Sequence, residues 1–330
     1  MNKFLTGASA LAMALGVGLP GVVPASGAPH PGAVAVPVHF SFRAGETPEN
    51  AALEPDGDFD VSFSVAREIA RVSLDGRQDI LAAMPMPADG GINTPVLHFA
   101  ATMGIVRGPD GTLYFLYAAG DADLTGVWRL RPNTSAPERI AALPATSLPN
   151  GLALDPRTGT LYVADSALGR VWAVPVTGGT ATIWSAAPEL ASTGYLGANG
   201  LKAHGDAVWV SDTDKGTVVR IPVLPDGAAG PARIWAGGLP TIDDFAFTGN
   251  EILAAVNHTD TVVRIRRDGT ETTVLTGTDG LQNPTSIVLR GGAAYVFDAA
   301  YVTHTDPNVL RAPLRSLLSC DSQVGPVGCP

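Results

Sequence analysis

Asn150-Gly-Leu-Ala-Leu154, the turn Asp155-Pro-Arg-Thr-Gly159, then Thr160-Leu-Tyr-Val-Ala-Asp165: two short apolar strands joined by a tight reversal, the second ending on a carboxylate. In the turn, Pro156 fixes φ and Gly159 accepts a positive φ, so these residues predict a hairpin. The same phrase returns at Asn199-Gly-Leu-Lys-Ala203 followed by Ala207-Val-Trp-Val-Ser-Asp212. Weaker copies begin at Glu49, Met103, Asp243 and Asn283, so the six starts are separated by 54, 47, 49, 44 and 40 residues. A period of about 40–50 residues filled with β-branched and aromatic strands means propeller blades. The fold expected is all-β, a six-bladed β-propeller over residues 29–316.

Third strands line up in every copy, at 68–73, 126–130, 170–176, 217–221, 261–265 and 309–312. The sixth copy lacks an outer strand of its own, whereas Val36-Pro-Val-His-Phe-Ser-Phe42 alternates like a strand and belongs to no copy. The N-terminal strand is therefore expected to complete the last blade, closing the ring and removing an exposed sheet edge. The repeat fills nearly all of the 330 residues and leaves no space for a second core, and a monomer is expected.

A formal charge of −10 with 21 Lys+Arg shows no basic stripe, which argues against nucleic acid and against an anionic membrane as partners. Residues 1–28 carry Lys3, an uncharged stretch over 4–23, and small residues Ala25-Ser-Gly-Ala28. That pattern resembles a secretory signal peptide, so a secreted, exported protein is expected. The only cysteines, Cys320 and Cys329, lie in the Gly/Pro-rich tail 317–330, where export favours a short-loop disulfide.

First strands of a propeller run side by side around the axis, so residues at one phase converge on one mouth. That column is Glu49, Met103, Asn150, Asn199, Asp243 and Asn283, of which five offer side-chain oxygen and two are carboxylates. Asn-Gly is also a common hairpin turn. Here, however, Asp155 to Gly159 already supplies the turn, and Asn150 precedes a strand. With no Cys or His in the column, the cofactor expected is one hard, oxygen-seeking divalent ion, Ca²⁺ first, with Mg²⁺, Mn²⁺ or Zn²⁺ as substitutes. A second column ends the second strands at Ser64, Asp165, Asp212, Asn257 and Asp298, with Asp165 and Asp212 the better substrate-binding candidates and turn formation the competing explanation. His98 and Asn283 are further candidates for contacting substrate at the mouth. The sequence has no G-x-S-x-G, H-E-x-x-H, P-loop or C-x-x-C motif.

Over about residues 45–315, and most clearly at Leu148-Pro-Asn-Gly-Leu-Ala-Leu-Asp155 and Leu161-Tyr-Val-Ala-Asp165, the chain resembles the regucalcin/gluconolactonase/luciferin-regenerating-enzyme family. The resemblance implies a six-bladed propeller with one divalent metal at the axial mouth and hydrolysis of a sugar lactone or related ester. It makes Glu49, Asn150 and Asp243 ligands, Asn199 a ligand or substrate contact, and Asp243 the base for water. Asn50-Ala51 stands where many relatives have Gly-Pro, and Asp244 follows Asp243 where Gly is usual, so which of the two aspartates faces the ion stays open. The leading expectation is an exported, metal-dependent lactone or ester hydrolase. The alternative is a non-catalytic propeller that binds a protein or glycan and keeps a structural ion. A strictosidine-synthase-like lyase shares the architecture but needs an acidic residue in a hydrophobic pocket that the sequence does not locate.

Overall fold

The computed structural model describes residues 33–319. The proposed leader 1–28, the pair Cys320 and Cys329, and most of the tail lie outside the described residues. Between those limits the chain forms six four-stranded antiparallel sheets. The first strands, Pro48–Leu53, Ala101–Arg107, Pro149–Asp155, Ala198–His204, Ile242–Thr248 and Pro284–Arg290, each pack against the first strands of both neighbouring blades. The sixth packs against the first, so the ring is complete.

Each blade is covered by a neighbour on both faces, and its strands are therefore apolar on both. Leu113–Ala118, the second strand of blade two, is buried at all six positions. The described residues form six apolar clusters, one in each junction between blades. Blade six is completed by Ala35–His39, which pairs antiparallel with Asn308–Pro313 through Val38↔Val309 and His39↔Asn308. Val38 and Phe40 enter the junction between blades six and one, where Phe40 meets Phe63 edge-on at 5.0 Å between ring centres. The helix Leu314–Ser319 follows the last blade, with Leu317 buried in the junction between blades five and six. Among the described residues, no helix is long and apolar enough to cross a membrane.

The Asn-Gly pairs have a steric explanation. A Cβ at Gly151 would lie 2.2 Å from the carbonyl oxygen of Asn199, and one at Gly104 would lie 2.5 Å from that of Asn150. At Gly200 it would meet Asp244 Oδ1 at 2.5 Å. Glycine is needed where one first strand crosses closest to the next, and the residue before it is delivered to the axial mouth. Strand register confirms the phase: Leu152↔Val163, Leu201↔Val210, Phe245↔Ala254, Ala51↔Val61 and Ile287↔Val296 occupy corresponding places in their blades. Counting back two residues gives Asn150, Asn199, Asp243 and Glu49, but Thr285 in blade six. Asn283 is thus two residues out of phase, a correction to the column. Thr285 is spent structurally: its hydroxyl proton is shared between the Pro48 carbonyl across the closing junction (2.8 Å) and the Phe297 carbonyl of its own blade (3.0 Å).

Candidate functional site

Glu49, Met103, Asn150, Asn199 and Asp243 line one axial cavity of about 290 Å³. Ser64, Thr213, Asn257 and Tyr301 join them from the ends of second strands and the loops beyond. Tyr301 donates to Glu49 Oε2 at 2.6 Å, and its oxygen lies 2.5 Å from Ser64 Oγ, which lies 2.8 Å from Thr47 Oγ1. Because the one phenolic proton goes to the carboxylate, Ser64 donates to Tyr301 and Thr47 donates to Ser64. Every hydroxyl in this chain points its proton toward Glu49.

Across the cavity, Asn257 Nδ2 donates to Asp243 Oδ2 at 3.1 Å and to the Pro284 carbonyl at 3.3 Å. Asn199 Nδ2 donates to Thr213 Oγ1 at 2.8 Å, and Thr213 in turn donates to the Ile242 carbonyl. That fixes the Asn199 amide with Oδ1 buried and without a partner. Asp244, next in sequence, turns away from the cavity. Its Oδ2 accepts from Lys202 Nζ at 2.5 Å and Asn50 Nδ2 at 3.0 Å, so the three side chains span the axis beneath the site. Asp243 is therefore the member of the pair that faces the cavity. A wider opening of about 690 Å³ lies at the other end of the axis, but its charged groups are already paired, Lys202 with Asp244 and Arg107 with Glu54. Chemistry is better served by the smaller cavity, where polar groups remain uncommitted.

The two carboxylates are placed at electrostatic cost. Burial pushes the Glu49 carboxyl up to about 7, the Tyr301 hydrogen bond pulls it back in part, and the charge of Asp244 adds to the rise. Burial also raises Asp243 well above the usual carboxylate range, reinforced by Glu49 and then Asp244, while the Asn257 and Asn199 amides act against it. Tyr301 is raised by burial and by the charge of Glu49. A cation among these groups reverses every one of those penalties. The donor set suits one: two carboxylates, the unpartnered Asn199 Oδ1, and an Asn150 side chain that makes no hydrogen bond. Among the described residues no three Asp, Glu, His or Cys side chains come together, so amide oxygens have to complete any such set.

Four sequence candidates are not brought to the cavity. Asn283, at φ +57°, is fully engaged: Oδ1 accepts from Val302 N at 2.8 Å, and Nδ2 donates to the Asn257 carbonyl and to Asp260. It clamps the loop that carries Tyr301. Asp165 accepts from Leu148 N, Leu168 N and Trp172 Nε1 at 3.0, 3.1 and 2.9 Å, which fastens the entry to its own blade. Asp212 holds Lys215 through backbone and side chain, at 2.8 and 3.1 Å. His98 is exposed, its Nδ1 3.1 Å from the Ile92 carbonyl, while its neighbours Leu97 and Phe99 line the cavity instead. From the second column the structure selects Ser64 and Asn257. Tyr301 is invisible to the periodicity, because it arrives from a loop outside the repeat.

No protein-family model and no curated protein sequence matches the chain. Solved structures share its fold. A calcium-binding protein, regucalcin, from Agrobacterium tumefaciens has a TM-score of 0.61 at 15% identity, over 82% of this chain and 92% of that one. A gluconolactonase from Xanthomonas campestris gives 0.58 at 14%, over 83% and 89%. Virginiamycin B lyase from Staphylococcus aureus gives 0.56 at 14%, over 84% and 98%. Hydrolytic and lyase propellers are thus similarly close, and the likeness establishes the six-bladed fold while leaving the chemistry to the site.

Proposed function

We propose that this protein is an exported, divalent-metal-dependent hydrolase that opens a lactone or a related ester. The observation that carries the proposal is the convergence of Glu49 and Asp243 with the unpartnered amide oxygens of Asn150 and Asn199 in one small axial cavity. Glu49, Asn150, Asn199 and Asp243 would hold the ion, Ca²⁺ being the best match to an all-oxygen set. When bound, such an ion polarises the substrate carbonyl and lowers the pKa of water.

The chain's own residues do the rest. Asn199 positions the ring, its amide already fixed by Thr213. Asp243, oriented by Asn257, takes a proton from the attacking water as its oxygen bonds to the carbonyl carbon. The bond from that carbon to the ring oxygen then breaks, and the ring oxygen leaves with the electron pair and takes up a proton. One lactone and one water become a hydroxy carboxylate, with one proton released. Tyr301, Ser64 and Thr47 hold Glu49 in place from behind.

The test is hydrolysis of a panel of aldonolactones, alkyl lactones and aryl esters by the mature protein, first in EDTA and then with Ca²⁺, Mg²⁺, Mn²⁺ or Zn²⁺ restored. Metal-restored turnover supports the proposal. Absence of turnover with every cation, alongside a metal-dependent rise in melting temperature, points instead to a binding propeller with a structural ion. Export rests on the composition of residues 1–28, and N-terminal sequencing of protein recovered from the medium tests it.

A further inference from the structure

The lining of the cavity constrains the substrate, and that constraint rests on the hydrolase proposal. One wall is apolar throughout. Met103, 3% exposed, stands where blades one, three, four and five place oxygen, and Leu97, Phe99 and Leu196 continue its surface. Val96 beside them sits at φ +65°, rare for a β-branched residue, and Leu97 N donates to the Pro95 carbonyl at 2.6 Å, so this segment is tightly constrained. The opposite segment is clamped as well: Asp214 accepts from the backbone N–H groups of Thr193, Gly194, Tyr195 and Leu196 at 2.7–3.1 Å. The apolar wall is therefore preformed on both sides.

Polar capacity is scarce by comparison. Ser64, Thr213, Asn257 and Tyr301 are committed to protein partners, Tyr195, Thr241 and His258 are the other polar side chains outside the proposed ion ligands, and among the described residues no Lys or Arg lines the cavity. Any ring hydroxyl turned to Met103, Leu97 and Phe99 would be buried on that wall with nothing to receive it, a cost that grows with each added hydroxyl. An anionic substituent on the substrate would find no Lys or Arg beside that wall. From this we infer that the substrate is a neutral lactone or ester bearing an unhydroxylated alkyl chain, the chain lying against the Met103, Leu97 and Leu196 wall.

The test compares γ-lactones of one ring size, substituted with hydrogen, propyl, pentyl or heptyl, against ring-hydroxylated aldono-γ-lactones, using the mature protein with its activating cation. We expect kcat/KM to rise about fourfold per added methylene until the cavity is filled, and the aldonolactones to fall below the unsubstituted ring. Both Leu97→Ser and Met103→Asn are expected to flatten the dependence on chain length. A flat series, a preference for aldonolactones, or a slope unmoved in both variants overturns the substrate assignment and leaves the hydrolase proposal intact. If no compound turns over with any cation, the hydrolase proposal fails. The substrate class is then decided by calorimetric binding of the corresponding γ-lactams: tighter binding with a longer chain keeps it, and equal or tighter binding of hydroxylated lactams overturns it.

Discussion

Glu49 and Asp243 are held where neither is comfortable as an anion, and that sets how stability responds to pH. The folded state binds the Glu49 proton more tightly than the unfolded chain, with a value of about 7 against 4.5. Its contribution is therefore complete below about 4.5 and is lost as pH rises through about 7, a decline of roughly 3 kcal/mol. Thermal melts in EDTA from pH 4.5 to 8 are expected to show this fall, and a saturating divalent cation is expected to abolish it. A metal-free melting temperature that stays level over that range contradicts the assignment. Asp243→Ala should remain folded and lose about 10²–10⁴-fold in turnover, as expected for a missing general base, with circular dichroism serving as the control. Tyr301→Phe leaves a buried Glu49 oxygen without its donor, and urea titration without metal should register about 1–3 kcal/mol.

The loops and strands around those residues have separate tasks that substitutions can expose. Gly151→Ala drives a Cβ into the backbone of the next first strand, and we expect loss of soluble protein, where Ala153→Gly in the same strand is tolerated better. Asp214 lies under the loop at 191–197; burial acts to raise its carboxyl, and the backbone hydrogen bonds from Tyr195, Thr193 and Leu196 with the Ser192 hydroxyl outweigh this and hold it at about 2. Asp214→Ala should speed hydrogen exchange across 193–196 and raise KM more than it lowers kcat; an unchanged exchange pattern would count against the clamp. Legibility divides along the same lines. Five column positions could be read because strand phase recurs and a glycine marks each close crossing in blades two, three and four. Blade six misleads because Asn283-Pro284 imitates the motif, whereas no glycine marks the crossing there and Ser286 occupies that place. The second-strand aspartates could not be sorted from sequence, since their roles depend on which backbone N–H the folded chain brings near. Tyr301 was hidden because a loop has no period.

Across the whole molecule, stability is distributed over six similar junctions, and the weak point is the one sealed by the N-terminal strand. Phe40 is 8% exposed and packs on Phe63, so Phe40→Ala should cost about 3 kcal/mol in denaturant unfolding. Removing residues 33–40 entirely uncovers the edge Asn308–Pro313 and is expected to cause aggregation instead of a simple loss of stability. Blades two to four meet the axis with Gly104, Gly151 and Gly200, while blades five and one present Asp244 and Asn50, joined to Lys202. With that ligature drawn across it, the axis is a cul-de-sac and not a tunnel. Reactant and product of the proposed reaction would then share one doorway, so turnover could be no faster than the product clears that threshold.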